Sequence, residues 1–482
     1  MVIYSWSVGA SCVVFVTYCL AYVVYAFIEN LPWESCKDSW QHNCYTAGEE
    51  SMLCKSVNKT IYEMYSNISL ISTNENMSWI SVAHKNMIAR VPVYIYMNYT
   101  KSCLNATRSA AEAYLIDKLW KMSSGIDDTG VPKLDLSMGI FIVWGLIYLC
   151  NWSAAALKRY TATMLCVMIL MMGTTIVRVS FLPGALAGIL SIAKVDIDQL
   201  LNFRVWRDAV HQVVSSMASC RGLTFFLGSQ SEYGEHISMA CVKLCVVHVL
   251  LGLISTLIVY GMVGTLSVRR GTSIDDFETS VNEVNLATPT EVSQEGALPH
   301  ILVTVYFLML VTAGLSTEVQ FIRASTNDVM GQAHECYDDQ EHSAAGILCI
   351  LGFVLGIPLV FNAGPHLFFL VVRVMNEFVL SVVCTTEVIA FTLVYGVDRI
   401  SRDLDFMLDR RPNAYWRYTW ILSLPLLTMF LLLSRLSGIA VTDLVGLEGY
   451  VYPSWCGVSS LVVIVAVLSP IPYFAVRHLV KN

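Results

Sequence analysis

The chain has 482 residues, 55% of them hydrophobic and 14% charged, with a formal net charge of -7 and a mean hydropathy of +0.59. No soluble globular domain has that balance, and long apolar runs recur from end to end, so the sequence predicts an all-α polytopic membrane protein. The charges lie in loops and at helix ends, without the basic footprint of a nucleic-acid binder. No GxxxxGK[ST], HExxH, GxSxG or paired CxxC pattern points to an enzyme or a metal centre.

The first apolar run, Val8 to Ile28, starts close to Met1. It has no basic flank and no small-residue cleavage site, so no cleavable signal peptide is expected. Residues 29–134 are polar and carry Cys36, Cys44, Cys54 and Cys103. They also hold sequons at Asn58, Asn67, Asn76, Asn98 and Asn105. Several acceptor sites in one segment predict a large, glycosylated extracellular loop. That compartment is oxidising; Cys36 with Cys44 is the sequence-local disulfide candidate, free thiols being the alternative. Most other cysteines sit in apolar spans, where a thiol acts as a small packing group.

Further spans are predicted at Leu136–Ser153, Thr161–Phe181, Ala209–Gly228, Ser238–Leu266, Pro299–Ile322, Ala344–Phe361, Gly364–Tyr395, Trp416–Leu436 and Trp455–Val476, ten in all, within one transmembrane domain over 1–482. With the sequon loop outside, alternation places Lys158, Arg159, Arg399, Arg402, Arg410, Arg411, Arg477, His478 and Lys481 in the cytoplasm. The positive-inside rule favours this orientation, although Arg269 and Arg270 fall outside. Asn151, the start of another sequon, then faces the cytoplasm and is expected to be unmodified. The acidic stretch Asp275 to Glu295 has no ion-ligand spacing and reads as a solvated outer loop.

One span is not a clean apolar helix. Phe203 to Ser231 carries Ser215, Ser216, Ala218, Ser219, Cys220, Arg221 and Gly222 at its centre. A charge at that depth is costly unless it meets a wet cavity or a partner. Non-helical backbone there survives only where protein buries it or water lines it. The expected structure is a discontinuous helix over 203–230, with halves at Trp206 to Met217 and Leu223 to Gly228. Such a break is a pointer to a transporter's binding site. A continuous helix with a small-residue packing seam is the alternative. Glu318 and Glu387 are intramembrane acids and therefore candidate ion or proton groups.

Ordered short motifs run through the chain: Leu31-Pro32-Trp33 with Cys36, Trp40 and Cys44; Ser109-Ala-Ala-Glu112; Arg178 with Leu182-Pro183-Gly184-Ala185; Trp206, Asp208 and Gln212; Phe307 to Leu310 with Gly314-Leu315; Glu387, Tyr395-Gly396 and Arg402-Asp403; Trp416, Trp420 and Pro425; Tyr452-Pro453 with Trp455. Together they resemble the neurotransmitter:sodium symporter family, the sodium- and chloride-dependent transporters of monoamines, GABA, glycine and amino acids. The resemblance implies the inverted-repeat transporter fold of the bacterial leucine transporter type, with the ten spans matching the family's third to twelfth. The two expected reasons for that offset are an incomplete sequence and a naturally shortened, non-transporting paralogue. It also implies the Cys36–Cys44 bond, with a spacing one residue shorter than the family's.

The same resemblance suggests site residues. Ser215, Ser216, Arg221, Ser316 and Thr317 fall in the solute-binding region. Ser216, His248, Ala313, Ser316 and Thr317 fall at sodium-ligand positions, and Gln212 with Ser216 at chloride-ligand positions. The chain departs from the family at several of them. Ala218 and Cys220 replace glycines of the break, and Arg221 replaces an aromatic. His248 stands for an asparagine, Gly252 for a chloride-ligand serine, and Cys12 lies near a tyrosine that lids the solute. A hydroxyl pair without a carboxylate removes a full negative charge from the second sodium position, which weakens the expected coupling to Na+ and Cl-. Arg221 reads either as a cation facing the cavity or as the partner of Glu318 or another carboxylate. His248 reads either as an ion ligand or as a hydrogen-bonded core residue. Glu387 matches a family position and is expected to brace helices near the inner gate.

The function implied is secondary active transport at the plasma membrane, moving a small amine or amino-acid-like solute by alternating access. The rival is a transport-inactive or sodium-independent membrane partner or scaffold. The bilayer is the other partner expected; nucleic acid is not, and homo-oligomerisation is left open.

Overall fold

The computed structural model describes residues 2–27, 31–37, 40, 44–46, 79–84, 87–92, 108–152, 154–194, 197–218, 222–230, 234, 237–270, 274, 286–294, 298–332, 339–409, 411–439 and 450–481. All five sequon asparagines of the 29–134 loop, with Cys54 and Cys103, lie outside the described residues, as do Ser219, Cys220 and Arg221.

Helices dominate. In chain order they are α1 (Val2–Tyr25), α2 (Leu134–Cys150), α3 (Ala154–Ser180), α4 (Ala185–Ile192), α5 (Phe203–Ser216), α6 (Leu223–Ser229), α7 (Ile237–Arg270), α8 (Ala287–Ser293) and α9 (Pro299–Gln332). There follow α10 (Asp339–Gly356), the long helical run α11 (Gly364–Leu408), α12 (Ala414–Leu436), α13 (Ser454–Leu468) and α14 (Pro470–Lys481). Short helical segments at Ala110–Ala113, Tyr114–Leu119, Ile197–Leu200 and Ile357–Val360 and two small strand pairs complete the regular structure of the described residues: Cys44–Tyr45 with Arg108–Ser109 in parallel, and Trp79–His84 with Met87–Pro92 antiparallel.

Eight of the described helices are long and apolar enough to cross a bilayer. The count is lower than ten for a physical reason. α2 has 17 residues, about 26 Å of helix at ~1.5 Å per residue, just short of a ~30 Å hydrocarbon layer. The stretch 203–229 is divided between α5 and α6. The helix beginning at Gly364 also continues past the predicted end at Tyr395 to Leu408, through π-helical turns at Val374–Val379 and Ala390–Gly396.

The core is built around α1. Its Tyr4, Val13, Val14, Val16, Tyr18, Cys19 and Tyr22 are buried, and it packs against α9, α2 and α10. Small residues let the backbones approach, as in other membrane helix pairs where lipid gives no hydrophobic drive to association. A Cβ at Gly314 of α9 would lie 2.3 Å from Val16 Cγ2, and one at Gly139 of α2 would lie 2.6 Å from Thr17 Cγ2. The tightest crossing is α4 on α7, where a Cβ at Gly188 would lie 1.9 Å from the Tyr260 carbonyl. Gly184, at φ 88°, starts α4 in the left-handed region that glycine adopts without strain.

An aromatic cluster closes the loop end of α1. Tyr22 stacks on Phe307 at 4.5 Å, and the buried Trp33 sits 5.4 Å from both Tyr22 and Tyr114. Cys36 and Cys44 are disulfide-bonded, with 5.9 Å between their Cα atoms. The Ser109-Ala-Ala-Glu112 motif forms a capping box: Glu112 N–H donates to Ser109 Oγ at 3.2 Å and Ser109 N–H to Glu112 Oε2 at 3.3 Å. Asn151 is buried, its amide donating to the carbonyls of Ile147 and Val319 at 3.0 and 3.3 Å.

Gly188→Ala is expected to force α4 and α7 apart, an overpacking cost of about 1–3 kcal/mol or more. Gly173→Ala, with open space around its Cβ, is expected to be tolerated. Thermal unfolding of the two variants in detergent, followed by fluorescence-detected size exclusion, checks the contrast.

Candidate functional site

The interrupted helix sets the geometry. α5 begins at an Asn202 cap, whose Oδ1 accepts the Arg204 N–H at 3.1 Å. It ends at Ser216, after which Ala218 turns to φ 50°. α6 starts after Gly222 at φ 81°. Positive φ on an alanine is an uncommon conformation for a residue with a Cβ. The helix bounds differ by at most three residues from the halves predicted, and Leu223 starts the second half as expected.

The candidate residues fall into two groups. In the first, Ser216 Oγ donates to the Gln212 carbonyl at 2.6 Å and lies 3.2 Å from His248 Nε2. A hydroxyl has one proton. With that proton on the Gln212 carbonyl, Nε2 of His248 must carry its own hydrogen and donate to Ser216. In this arrangement Nε2 has no lone pair for a cation, and Ser216 keeps one for another donor or an ion. His248 is half-buried, so it is hydrogen-bonded without being a core residue. Ser215 lies beside this pair on the last turn of α5.

The second group is on α9. Ser316 and Thr317 hydroxyls donate to the Thr312 and Ala313 carbonyls at 2.7 and 2.9 Å, which turns their lone pairs outward. Ala313, Ser316 and Thr317 share a cavity of about 410 Å³ with Thr161 and Gln320. Tyr160 of α3 hydrogen-bonds Ser316. Ala313, Ser316, Thr317 and Gln320 lie on one face of α9, opposite the Thr161 hydroxyl of α3, and their oxygens form a donor set that suits a hard monovalent cation. Thr161 and Gln320 were not singled out in the sequence; their only signal is a polar residue inside an apolar span.

Two further cavities flank α11. One of about 750 Å³ is largely apolar, bounded by Trp206, Val210 and Val213 of α5, Thr224 of α6, Glu387 and Phe391 of α11 and Trp420 of α12. The other, about 150 Å³, lies between α1 and α11 and includes Cys12, Phe15, Phe368 and Asn376. Glu318 is buried, its carboxylate against Gly9, where a Cβ would meet Oε2 at 2.6 Å. Arg221, its proposed partner, lies outside the described residues.

A charged cluster joins α5, α11 and α12. Arg435 contacts Glu377 Oε2 at 3.2 Å and Asp208 Oδ1 at 3.7 Å, and Arg207 pairs with Asp208 at 2.8 Å. Arg373 approaches Glu377 at 3.9 Å. Beside it, His211 Nε2 donates to the Asn376 carbonyl within the π-helical turn, at 2.8 Å. A lone arginine such as Arg435 inside an apolar helix is the sequence signal that marks this cluster. Its partners are distant in sequence and only the fold supplies them.

A many-helix bundle with an interrupted helix lining one cavity, and with hydroxyl oxygens on the wall of another, defines a polytopic helical membrane protein of the transporter type. The family model described as "Sodium:neurotransmitter symporter family" matches residues 1–482, and the chain belongs to that family. It is 25% identical over 462 residues to the sodium- and chloride-dependent taurine transporter of Canis lupus familiaris, covering 92% of this chain and 65% of that protein. It is 21% identical over 422 residues to the sodium- and chloride-dependent glycine transporter 2 of Xenopus laevis, covering 86% and 51%. It is 24% identical over 375 residues to the sodium- and chloride-dependent GABA transporter 2 of Rattus norvegicus, covering 74% and 60%. The chain thus spans 65% or less of the length of each of these relatives.

Arg435→Met is expected to destabilise the bundle by leaving Glu377 poorly compensated. Adding Glu377→Gln is expected to recover part of the loss, a coupling of about 0.5–3 kcal/mol. Melting curves of the two single variants and the double variant in detergent check it.

Proposed function

We propose that the protein is a secondary active transporter that moves a small amine or amino-acid-like solute across the plasma membrane by alternating access, with Na+ as the coupled substrate. The observation that carries this reading is the helix interrupted between Ser216 and Leu223, whose two halves line a cavity also bounded by Glu387, Thr392 and Thr428. A broken helix exposes backbone groups that hydrocarbon cannot satisfy, so a polar, solvated site is the environment that tolerates it. Family membership and relatives named for taurine, glycine and GABA support the solute class.

In this reading Ala313, Ser316 and Thr317 offer one Na+ position. Ser216 offers a second, with His248 holding its hydroxyl in place. Gln212 of α5 offers an amide donor to Cl-, and Ser216 on the same face joins it when its hydroxyl proton leaves the Gln212 carbonyl. Ser215, Ser216, Arg221, Ser316 and Thr317 border the solute path. The spans follow the inverted-repeat arrangement, with 29–134 as the glycosylated outer loop and Arg399, Arg402 and Arg411 inside. Glu387, on the wall of the larger cavity, is a candidate group for a proton or cation.

Uptake of radiolabelled taurine, glycine and GABA by oocytes expressing the chain, in Na+ and in choline medium, tests this. At least one solute is expected to accumulate only in Na+, and gluconate in place of Cl- to reduce uptake. Ser316→Ala with Thr317→Ala is expected to raise the half-saturating Na+ concentration about tenfold, equivalent to ~1.4 kcal/mol. Uptake that is the same in choline would favour a sodium-independent carrier, and no uptake of any solute the membrane-partner reading.

A further inference from the structure

A fourth cavity, an open groove, has no part in the transport reading. It lies between the start of α7, the end of α11 and the start of α12, with a volume of about 290 Å³. Its apolar wall includes Ile237, Cys241, Leu404, Leu408, Trp416 and Trp420, and Ser238, Arg411 and Asn413 form a polar edge. The thiol that opens onto it is accessible: Cys241 and Cys245 are exposed, whereas Cys19, Cys349, Cys384 and Cys456 are buried.

The position of Cys241 along α7 matters. At ~1.5 Å per residue this 34-residue helix is about 51 Å long, against a hydrocarbon layer of ~30 Å. Shared between its ends, the excess leaves roughly 10 Å of helix at headgroup level on each side. Cys241 is about 6 Å from the start of the helix, within that zone, and Cys245 is about 12 Å in, at its inner limit. The neighbours have the character of an interface. Trp416 and Trp420 form an aromatic belt beside Arg411, and the exposed Lys243 can reach headgroups by extending its stem.

We propose that Cys241 is a site of S-acylation and that its long acyl chain lies in this groove. The thiolate of Cys241 attacks the thioester carbonyl of a long-chain acyl-coenzyme A. The carbonyl–sulfur bond to coenzyme A breaks, a new thioester forms on Cys241, and the thiol proton ends on the departing coenzyme A sulfur. No electrons are transferred. Interfacial cysteines next to membrane helices are the usual acceptors of this modification. Here the groove adds apolar walls from Leu404, Leu408 and two tryptophans that would hold the chain against the protein. Cys245, one helical turn on, does not line the groove. The proposal rests on the orientation given above, in which the start of α7 faces the cytoplasm, where acyl-coenzyme A is available.

The full chain, expressed in cells fed an alkyne-bearing palmitate analogue, is purified and coupled to a fluorophore, with and without hydroxylamine. Hydroxylamine-sensitive signal is expected in the wild type. It is expected to fall to background in both Cys241→Ser and Cys241→Ala, and to persist in Cys166→Ser and Cys245→Ser. An unlabelled wild type, or Cys241 variants labelled like the wild type, would overturn the proposal. Size-exclusion profiles matching the wild type exclude misfolding as the cause of a lost signal. A photoactivatable diazirine palmitate is expected to cross-link to peptides within 404–420; cross-links confined to other helices would overturn the groove assignment. An epitope placed after Asn482, detectable only in permeabilised cells, reads the orientation separately.

Discussion

Close packing of α1 against α9 holds the remaining helices in register. Val16 fits over Gly314 and the Glu318 carboxylate fits over Gly9, so each helix supplies a glycine where the other brings bulk. Both contacts lie within one turn or so of Ala313, Ser316 and Thr317. The hydroxyls of the second candidate group therefore hang on a closely packed helix pair. A hydroxyl site for a weakly held ion needs that rigidity, since misplacement of a ligand by an ångström forfeits much of its contribution.

The opposite side of the molecule is built differently. α5 has no buried residue, and the first half of α7, residues 238–255, is largely exposed although apolar, whereas its second half packs under α4. Apolar surface of that extent is matched by lipid or by other membrane helices. α5 is fixed instead by polar contacts: the Asn202 cap, the His211 hydrogen bond to the π-helical turn of α11, and the Asp208–Arg435–Glu377 cluster. An element held by a few directional contacts can exchange partners at lower cost than one locked into a packed core. That contrast, a packed α1–α9 frame beside a lightly tethered interrupted helix, is what the proposed alternating access would draw on.

The polar groups follow the same division. Ser216, His248 and Gln212 meet at the end of α5, where the chain leaves the helical ladder. Hydrocarbon offers no hydrogen bonds, so these groups satisfy one another, and the Ser216–His248 contact ties α5 to α7. This contact shows how the chain holds His248 on an apolar helix beside the end of α5.

The local chemistry of this protein is readable from the sequence. Apolar runs gave the membrane class, the 109–112 motif its capping box, and the Cys36 and Cys44 spacing a pair close enough to bond. The cluster of small and polar residues after Ser215 marked where a helix would struggle to continue, because each of these signals depends on residues a few positions apart. Tertiary structure alone decided which distant residues meet. Arg435 reaches Glu377 and Asp208, His211 reaches the carbonyl of Asn376, and Cys241 opens onto a groove shared with Trp416 and Trp420. Those contacts come from helices separated by many tens of residues, and no local pattern records them: the geometry that brings them together is set by backbone approach at glycines and by the path of loops, both properties of the whole bundle.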